Sequence, residues 1–268
     1  MKLFHRVIGE GKPIVIAHGL YGSSDNWISI AKQLSTKYKV ILVDLRNHGQ
    51  SPHSSSHSYS DLADDLFELF NKLNLSQATL LGHSMGGKAA MQFAINYPNK
   101  LKSLIVVDIS PRPYADANGY APHAKEHLAI LSALRELPLK ELTSRAEADT
   151  MLANKIPSLQ LRQFLLKNLD RNESNQFIWK LNLNALWQKL PSLMGGVKTK
   201  EGYIPSKALN VLFIKGALSP YINLEADKPL INKLFPSAQI ISIPNAGHWV
   251  HAEEPKLFLE TIENFLEG

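Results

Sequence analysis

Six short apolar runs punctuate the chain at residues 13–17, 40–43, 79–81, 104–107, 211–214 and 239–243. None of them alternates cleanly with polar positions. That pattern predicts strands covered on both faces, as in a parallel sheet. Between the runs, apolar residues recur at helical spacing. Trp27, Ile30, Ala31 and Leu34 share one face, and so do Leu62, Leu66, Leu69, Phe70 and Leu73. Residues 88–97 predict a helix that Pro98 ends, and Leu257, Ile262, Phe265 and Leu266 fall on a final helix. Strands alternating with helices predict an α/β architecture, a mostly parallel central sheet flanked by helices.

From about residue 111 to about 207 the rhythm changes. Helical patterns cover 124–137, 139–155, 159–169 and 183–190, most of them separated by proline or asparagine, and no strand is evident. The expectation is a core of residues 1–110 and 208–268 carrying a helical cap, a lid, of residues 111–207. The segment 53–57, with His53, three serines and His57, reads as a polar loop whose histidines face solvent and bind no metal.

Composition narrows the picture further. The 268 residues are enough for one large domain or one domain with an insertion. No apolar run approaches the roughly 20 residues of a membrane-spanning helix. The basic start Met1–Arg6 is followed by no long apolar stretch, so no secretory signal is expected and the cytoplasm is the default. Without cysteine, disulfides, thiolate metal sites and a cysteine nucleophile are excluded. The net charge is +5, but lysine and arginine are scattered, so a solvated surface is expected and not a nucleic-acid patch. No close His, Asp and Glu spacing resembles a metal-ligand set.

The sharpest chemical signal is Gly82-His83-Ser84-Met85-Gly86-Gly87, between a strand run and a helix. A nucleophile elbow needs that context, with residues lacking Cβ on either side of a strained serine. A serine hydroxyl needs a base, and His248, after the last strand run and beside Gly247, is better placed than His251. The base needs a carboxylate to fix its tautomer. Asp108 ends the run 104–107, whereas the loop after 211–214 offers none before Glu225 and Asp227, which read as helical. Asp108 is the better placed, and the order Ser84, Asp108, His248 is the one this elbow's fold requires. Oxyanion donors are expected from the backbone amides of Met85 and Leu20, the latter in His18-Gly19-Leu20-Tyr21-Gly22 after the first run. Asp44 and Arg46 read as a structural ion pair and turn, with Asn47 and His48 lining the pocket. Trp179 and Trp187 are candidate apolar contacts for the acyl group.

His18-Gly19-Leu20, Asp44-Leu45-Arg46-Asn47-His48-Gly49, Gly82–Gly87 and Gly247-His248-Trp249 together resemble the α/β-hydrolase superfamily, nearly end to end. Asn47 where many relatives carry Gly, with Val107–Pro111 and Ser219–Tyr221, narrows the resemblance to the YbfF-type esterases. The resemblance implies an α/β-hydrolase fold with the cap inserted between the strands the family counts as sixth and seventh, and an acid after the sixth, which falls on Asp108. His18, Asn47, Trp179, Trp187 and Trp249 are the candidate substrate-pocket residues. The resemblance implies a serine esterase for short- to medium-chain acyl esters, extending to acyl-CoA thioesters, with no cofactor; a monomer or homodimer is expected. Carbon–carbon bond hydrolysis or perhydrolysis by the same triad, and a ligand-binding receptor role, are the rivals. Dehalogenase and epoxide-hydrolase relatives place Asp where Ser84 stands.

Overall fold

The computed structural model describes residues 1–114 and 122–268. Its seven-stranded sheet is built from β1 (His5–Ile8), β2 (Lys12–Ala17), β3 (Tyr38–Val43), β4 (Ala78–His83), β5 (Leu101–Val107), β8 (Asn210–Gly216) and β9 (Ala238–Ile243), in the order β1-β3-β2-β4-β5-β8-β9. All neighbours are parallel except β1, which pairs antiparallel with β3 at the edge. β1 leaves little trace in the apolar pattern because only one side of it is paired and its residues are half-exposed.

Successive residues along each strand feed opposite faces, and both faces are covered. Val15, Ile41, Leu80 and Leu104 pack with α2 (Tyr59–Lys72) and α3 (Met85–Asn96), whose Leu62, Leu66, Phe70, Ala89 and Phe93 are buried there. Ile14, Ile16, Leu42, Leu81 and Ile105 pack on the other side against α1 (Ile28–Leu34) and α10 (Pro255–Glu267), through Trp27, Ile30, Phe258 and Ile262. This is why the strand runs are continuously apolar. Each large side chain so buried contributes roughly 1.5–3 kcal/mol. Local signals set the helix ends. Ser58 accepts from the Asp61 amide while the Asp61 carboxylate accepts from the Ser58 amide, a reciprocal cap that starts α2.

Between β5 and β8, in this chain's own count the fifth and sixth strands of the main sheet, lies an insertion. It holds α4 (Pro122–Arg135), α5 (Arg145–Leu152), α6 (Leu159–Leu166) and α7 (Leu183–Leu193). The expectation of helices alone was wrong. A hairpin of β6 (Leu169–Arg171) and β7 (Phe177–Trp179) interrupts them. Its strands are too short to show a period, and Leu169 continues the apolar spacing of α6 although the helix stops at Leu166. Helix α5 is also shorter than its pattern, because Ser144 caps it by accepting from the Glu147 amide. The buried leucines of the insertion, Leu131, Leu134, Leu165, Leu186 and Leu190, join the same apolar cluster as α2 and α3. No helix among the described residues is long and apolar enough to cross a membrane.

Candidate active site

Strand β4 runs into a sharp turn at Ser84 and then into α3. Ser84 adopts φ 52° and ψ −117°, a strained conformation for a residue with a side chain, costing roughly 1–3 kcal/mol. The turn closes because its neighbours are small. A Cβ on Gly82 would strike the backbone of Gly86, and one on Gly86 would strike the carbonyls of Ala17 and His18. The Ser84 amide donates to the Val107 carbonyl at 2.9 Å, which ties the turn to the next strand.

Asp108 directly follows β5, at φ 51°, and is fully buried. Its amide donates to the Ile214 carbonyl at 2.8 Å. One carboxylate oxygen accepts from the Gly216 amide at 3.0 Å, and the other accepts from the Ser219 hydroxyl. That second oxygen also lies 2.7 Å from His248 Nδ1, and His248 Nε2 lies 3.0 Å from Ser84 Oγ. The carboxylate can only accept, so Nδ1 carries the imidazole proton and Nε2 faces the serine hydroxyl as acceptor. The loop bearing His248 is held by Glu253, whose carboxylate accepts from the amides of Gly247 at 2.6 Å and Trp249 at 3.3 Å. Tyr221 stacks on the imidazole, with ring centres 4.0 Å apart.

The other histidines nearby are structural in their contacts. His83 donates from Nε2 to the His248 carbonyl at 2.8 Å. Burial, and then the charges of His248 and His251, hold its pKa well below the usual histidine value. His251 stacks on Trp27 at 4.0 Å, and burial pushes it down to about 3.

The amides of Leu20 and Met85 find no acceptor among the described residues. Met85 is the first residue of α3, where a helix leaves its N–H groups free. Leu20, Ser84 and Met85 line one cavity of about 30 Å³, room for roughly two water molecules. Its remaining walls are Tyr59, Lys88, Ile109 and Tyr221 from the core, and Tyr114, His123, His127, Leu193 and Met194 from the insertion. Lys88 is buried one helical turn after Ser84. Its ammonium donates to the carbonyls of Arg112, at 2.9 Å, and Gly195, and lies 4.6 Å from the centre of the Tyr114 ring. Burial, and then the charge of Arg112, push its pKa down to about 7.

Several expected site residues lie elsewhere. Arg46 does not pair with Asp44. It makes a two-pronged bond to Asp65 at 2.6 and 2.9 Å, while Asp44 accepts from the amides of Ser24 and Gln50 at 2.6 and 2.8 Å. The wide spacing of Asp65 in sequence hid that pair. Asn47, in the left-handed region at φ 66°, binds the Ser54 amide, His57 and Asn182. His57 is buried, contrary to the solvent-facing loop expected, and burial lowers its pKa to about 3. Asn47 and His48 are absent from the lining of the Ser84 cavity, as is His18. Trp179 and Trp187 line a separate open cleft of about 720 Å³ with Arg135 and His53. Trp249 packs toward Phe164 with ring centres 5.4 Å apart. Lys88 was findable, since residues four apart share a helix face. The insertion's Tyr114, His123 and Met194 carry no sequence signal. No cluster of three or more metal-ligating side chains occurs among the described residues.

A sequence profile for the alpha/beta hydrolase fold matches residues 12–255. An sn-1-specific diacylglycerol lipase, ABHD11 of Danio rerio, is 38% identical over 265 residues, covering 97% of this chain and 80% of the relative. Esterase YbfF of Escherichia coli (strain K12) is 34% identical over 257 residues, covering 96% of this chain and 94% of the relative. Among solved structures, a marine microorganism esterase superposes with a TM-score of 0.93 at 44% identity, covering 98% of this chain and 99% of that one.

Proposed function

Because this chain belongs to the α/β-hydrolase family and is an ester hydrolase, we propose that Ser84, His248 and Asp108 are its catalytic triad and act through an acyl-enzyme. His248 Nε2 takes the Ser84 proton as Oγ attacks the acyl carbonyl. The amides of Leu20 and Met85 hold the oxyanion. His248, kept in one tautomer by Asp108, then protonates the departing alkoxide, or the thiolate of a thioester. Water enters, gives a proton to His248, and releases the acid. The insertion acts as a cap that walls the acyl group from solvent.

The observation that carries this reading is the unbroken line from the Ser84 hydroxyl through both imidazole nitrogens to a buried carboxylate. The small cavity beside Ser84 favours short acyl groups, with longer ones admitted as its walls move. Chromogenic acyl esters from acetyl to octanoyl test it. Wild type should turn over and Ser84→Ala should fall by about a millionfold, near background, while remaining folded. A folded wild type that hydrolyses none of them would move the function to another reaction of the same triad.

A further inference from the structure

Leu20 is the oxyanion donor that no helix supports, so its orientation must come from the loop around it. Its N–H shares a rigid peptide unit with the Gly19 carbonyl. That carbonyl accepts from the Gly22 amide at 3.0 Å, and His18 Nδ1 lies 2.8 Å from it. The Gly22 amide in turn shares a peptide unit with the Tyr21 carbonyl. Tyr21 sits at φ 63°, in the left-handed region, where a bulky residue stays only if its surroundings hold it.

Two side chains grip its main chain, while its hydroxyl meets His127 Nδ1 of the insertion at 3.2 Å. From the core, fully buried His48 accepts the Tyr21 amide on Nε2 at 3.3 Å while its Nδ1 bonds the Arg46 carbonyl at 2.9 Å. From the insertion, Asn168 donates Nδ2 to the Tyr21 carbonyl at 2.8 Å and to the Leu165 carbonyl at 3.1 Å. Both acceptors are carbonyl oxygens, which fixes the amide nitrogen on this side. Asn168 is 4% exposed and lies just past α6.

We propose that Asn168 is a positioning residue for the oxyanion hole, acting from the insertion through the Tyr21–Gly22 and Gly19–Leu20 peptide units on the Leu20 amide. The relay is Asn168 N–H to Tyr21 carbonyl, Gly22 N–H to Gly19 carbonyl, and Leu20 N–H to the substrate oxyanion. Each bond in such a chain aligns and polarises the next. The hole is therefore complete only while the insertion is seated on the core. This rests on the Ser84 and Leu20 roles proposed above.

The test compares Asn168→Asp, nearly the same shape but unable to donate when ionised, with Asn168→Gln, which keeps the donor. Asn168→Ala, without a donor in any protonation state, runs beside Asn168→Asp. The probes are ester turnover, binding of a short alkylboronic acid, and binding of the matching aliphatic amide. The boronic acid forms a B–O bond to Ser84 Oγ, the serine proton passes to His248, and the tetrahedral adduct mimics the oxyanion. Asn168→Asp should lower kcat by about tenfold or more with KM within about twofold, and weaken the boronate by the same factor while leaving the amide unchanged. Asn168→Gln should recover most of that loss. Equal losses of boronate and amide binding, or a Gln variant as impaired as Asp, would make Asn168 an ordinary structural residue and overturn the inference. Unchanged kinetics of both Asn168→Asp and Asn168→Ala, beside an inactive Ser84→Ala, would overturn it while leaving the serine-esterase reading intact. A wild type with neither turnover nor boronate binding would remove both.

Discussion

The carboxyl edge of the sheet and the wall that the insertion builds over it are held by different means. At the edge, Ser84 and Asp108 are fixed by main-chain bonds to neighbouring strands, to Val107 and Ile214. Each also sits in a backbone region that few residues tolerate. At the wall, side chains reach across to single carbonyls, as Tyr59 does to Leu193 at 2.6 Å and Lys88 does to Arg112 and Gly195. An edge held by the sheet's own ladder keeps the main chains of Ser84 and Asp108 in place. A wall held mostly by side-chain bonds can be reshaped, away from Asn168, without disturbing them. Changes at the edge, and at Asn168 where the insertion reaches the Leu20 loop, should therefore act on rate, and changes elsewhere in the wall on which ester is accepted.

The sharpest way to break this contrast is Asp108→Asn. The amide keeps an oxygen for the Gly216 N–H, so the fold should survive, but the other position can no longer take both the Ser219 hydroxyl and the His248 proton as acceptor. Loss of the correct imidazole tautomer should lower kcat by about ten-thousandfold with little change in KM. Steady-state kinetics on a short chromogenic ester decides it. Activity near wild type would move the acid to Glu225, Asp227 or a carboxylate of the insertion, and would mean that the edge does not set the chemistry. Asp227 is already committed to Arg112, Nε to Oδ1 2.7 Å.

Acid should weaken the edge as a whole. His18, His48, His57, His83 and His251 are buried there and neutral, their pKa values lowered chiefly by burial. At the wall, burial, and then the charges of His248 and His123, lower His127 to about 4. A histidine lowered on folding binds more protons unfolded than folded between its folded value and 6.5. Its stability contribution is thus full above pH 6.5 and is lost as pH falls through that window. Each contributes a slope of up to about 1.4 kcal/mol per pH unit. Denaturant midpoints should fall steeply from pH 7 to pH 5, and His127→Gln should remove only one histidine's share. A flat profile would mean that these imidazoles are not held neutral by the fold.

The same contrast explains what the sequence disclosed. The elbow was legible because its backbone rejects nearly every residue but glycine beside Ser84. The placement of Asp108 against His248 was legible because β8's following loop offers no carboxylate, and the structure puts the Ser219 hydroxyl against Asp108 instead. The six long strands were legible because both sheet faces are covered. The wall was not. Any side chain of suitable size can line a cavity, so Tyr114, His123, Leu193 and Met194 had no pattern to betray them, and the conspicuous Trp179 and Trp187 drew attention to a different cleft. The short β6–β7 hairpin and the Arg46–Asp65 pair were hidden for a related reason: both depend on tertiary neighbours far apart in sequence or on too few residues to show a period.

The mildest change tests the wall directly. Met194 is buried just past α7 and lines the Ser84 cavity, with its main chain bonded to Leu190 and Tyr114. Met194→Ala leaves those main-chain bonds in place and opens space where a longer acyl chain would run. Cavity formation should destabilise the fold by about 2–5 kcal/mol, read as a lowered thermal midpoint. The kcat/KM optimum should move to acyl chains about two carbons longer, with the long-to-short preference changed by about tenfold. Turnover of the best substrate should stay within a few-fold of wild type, since Ser84, His248 and Asp108 are untouched. An unchanged chain-length profile would mean that the acyl group leaves the serine by another route, and that the wall shapes something other than substrate choice.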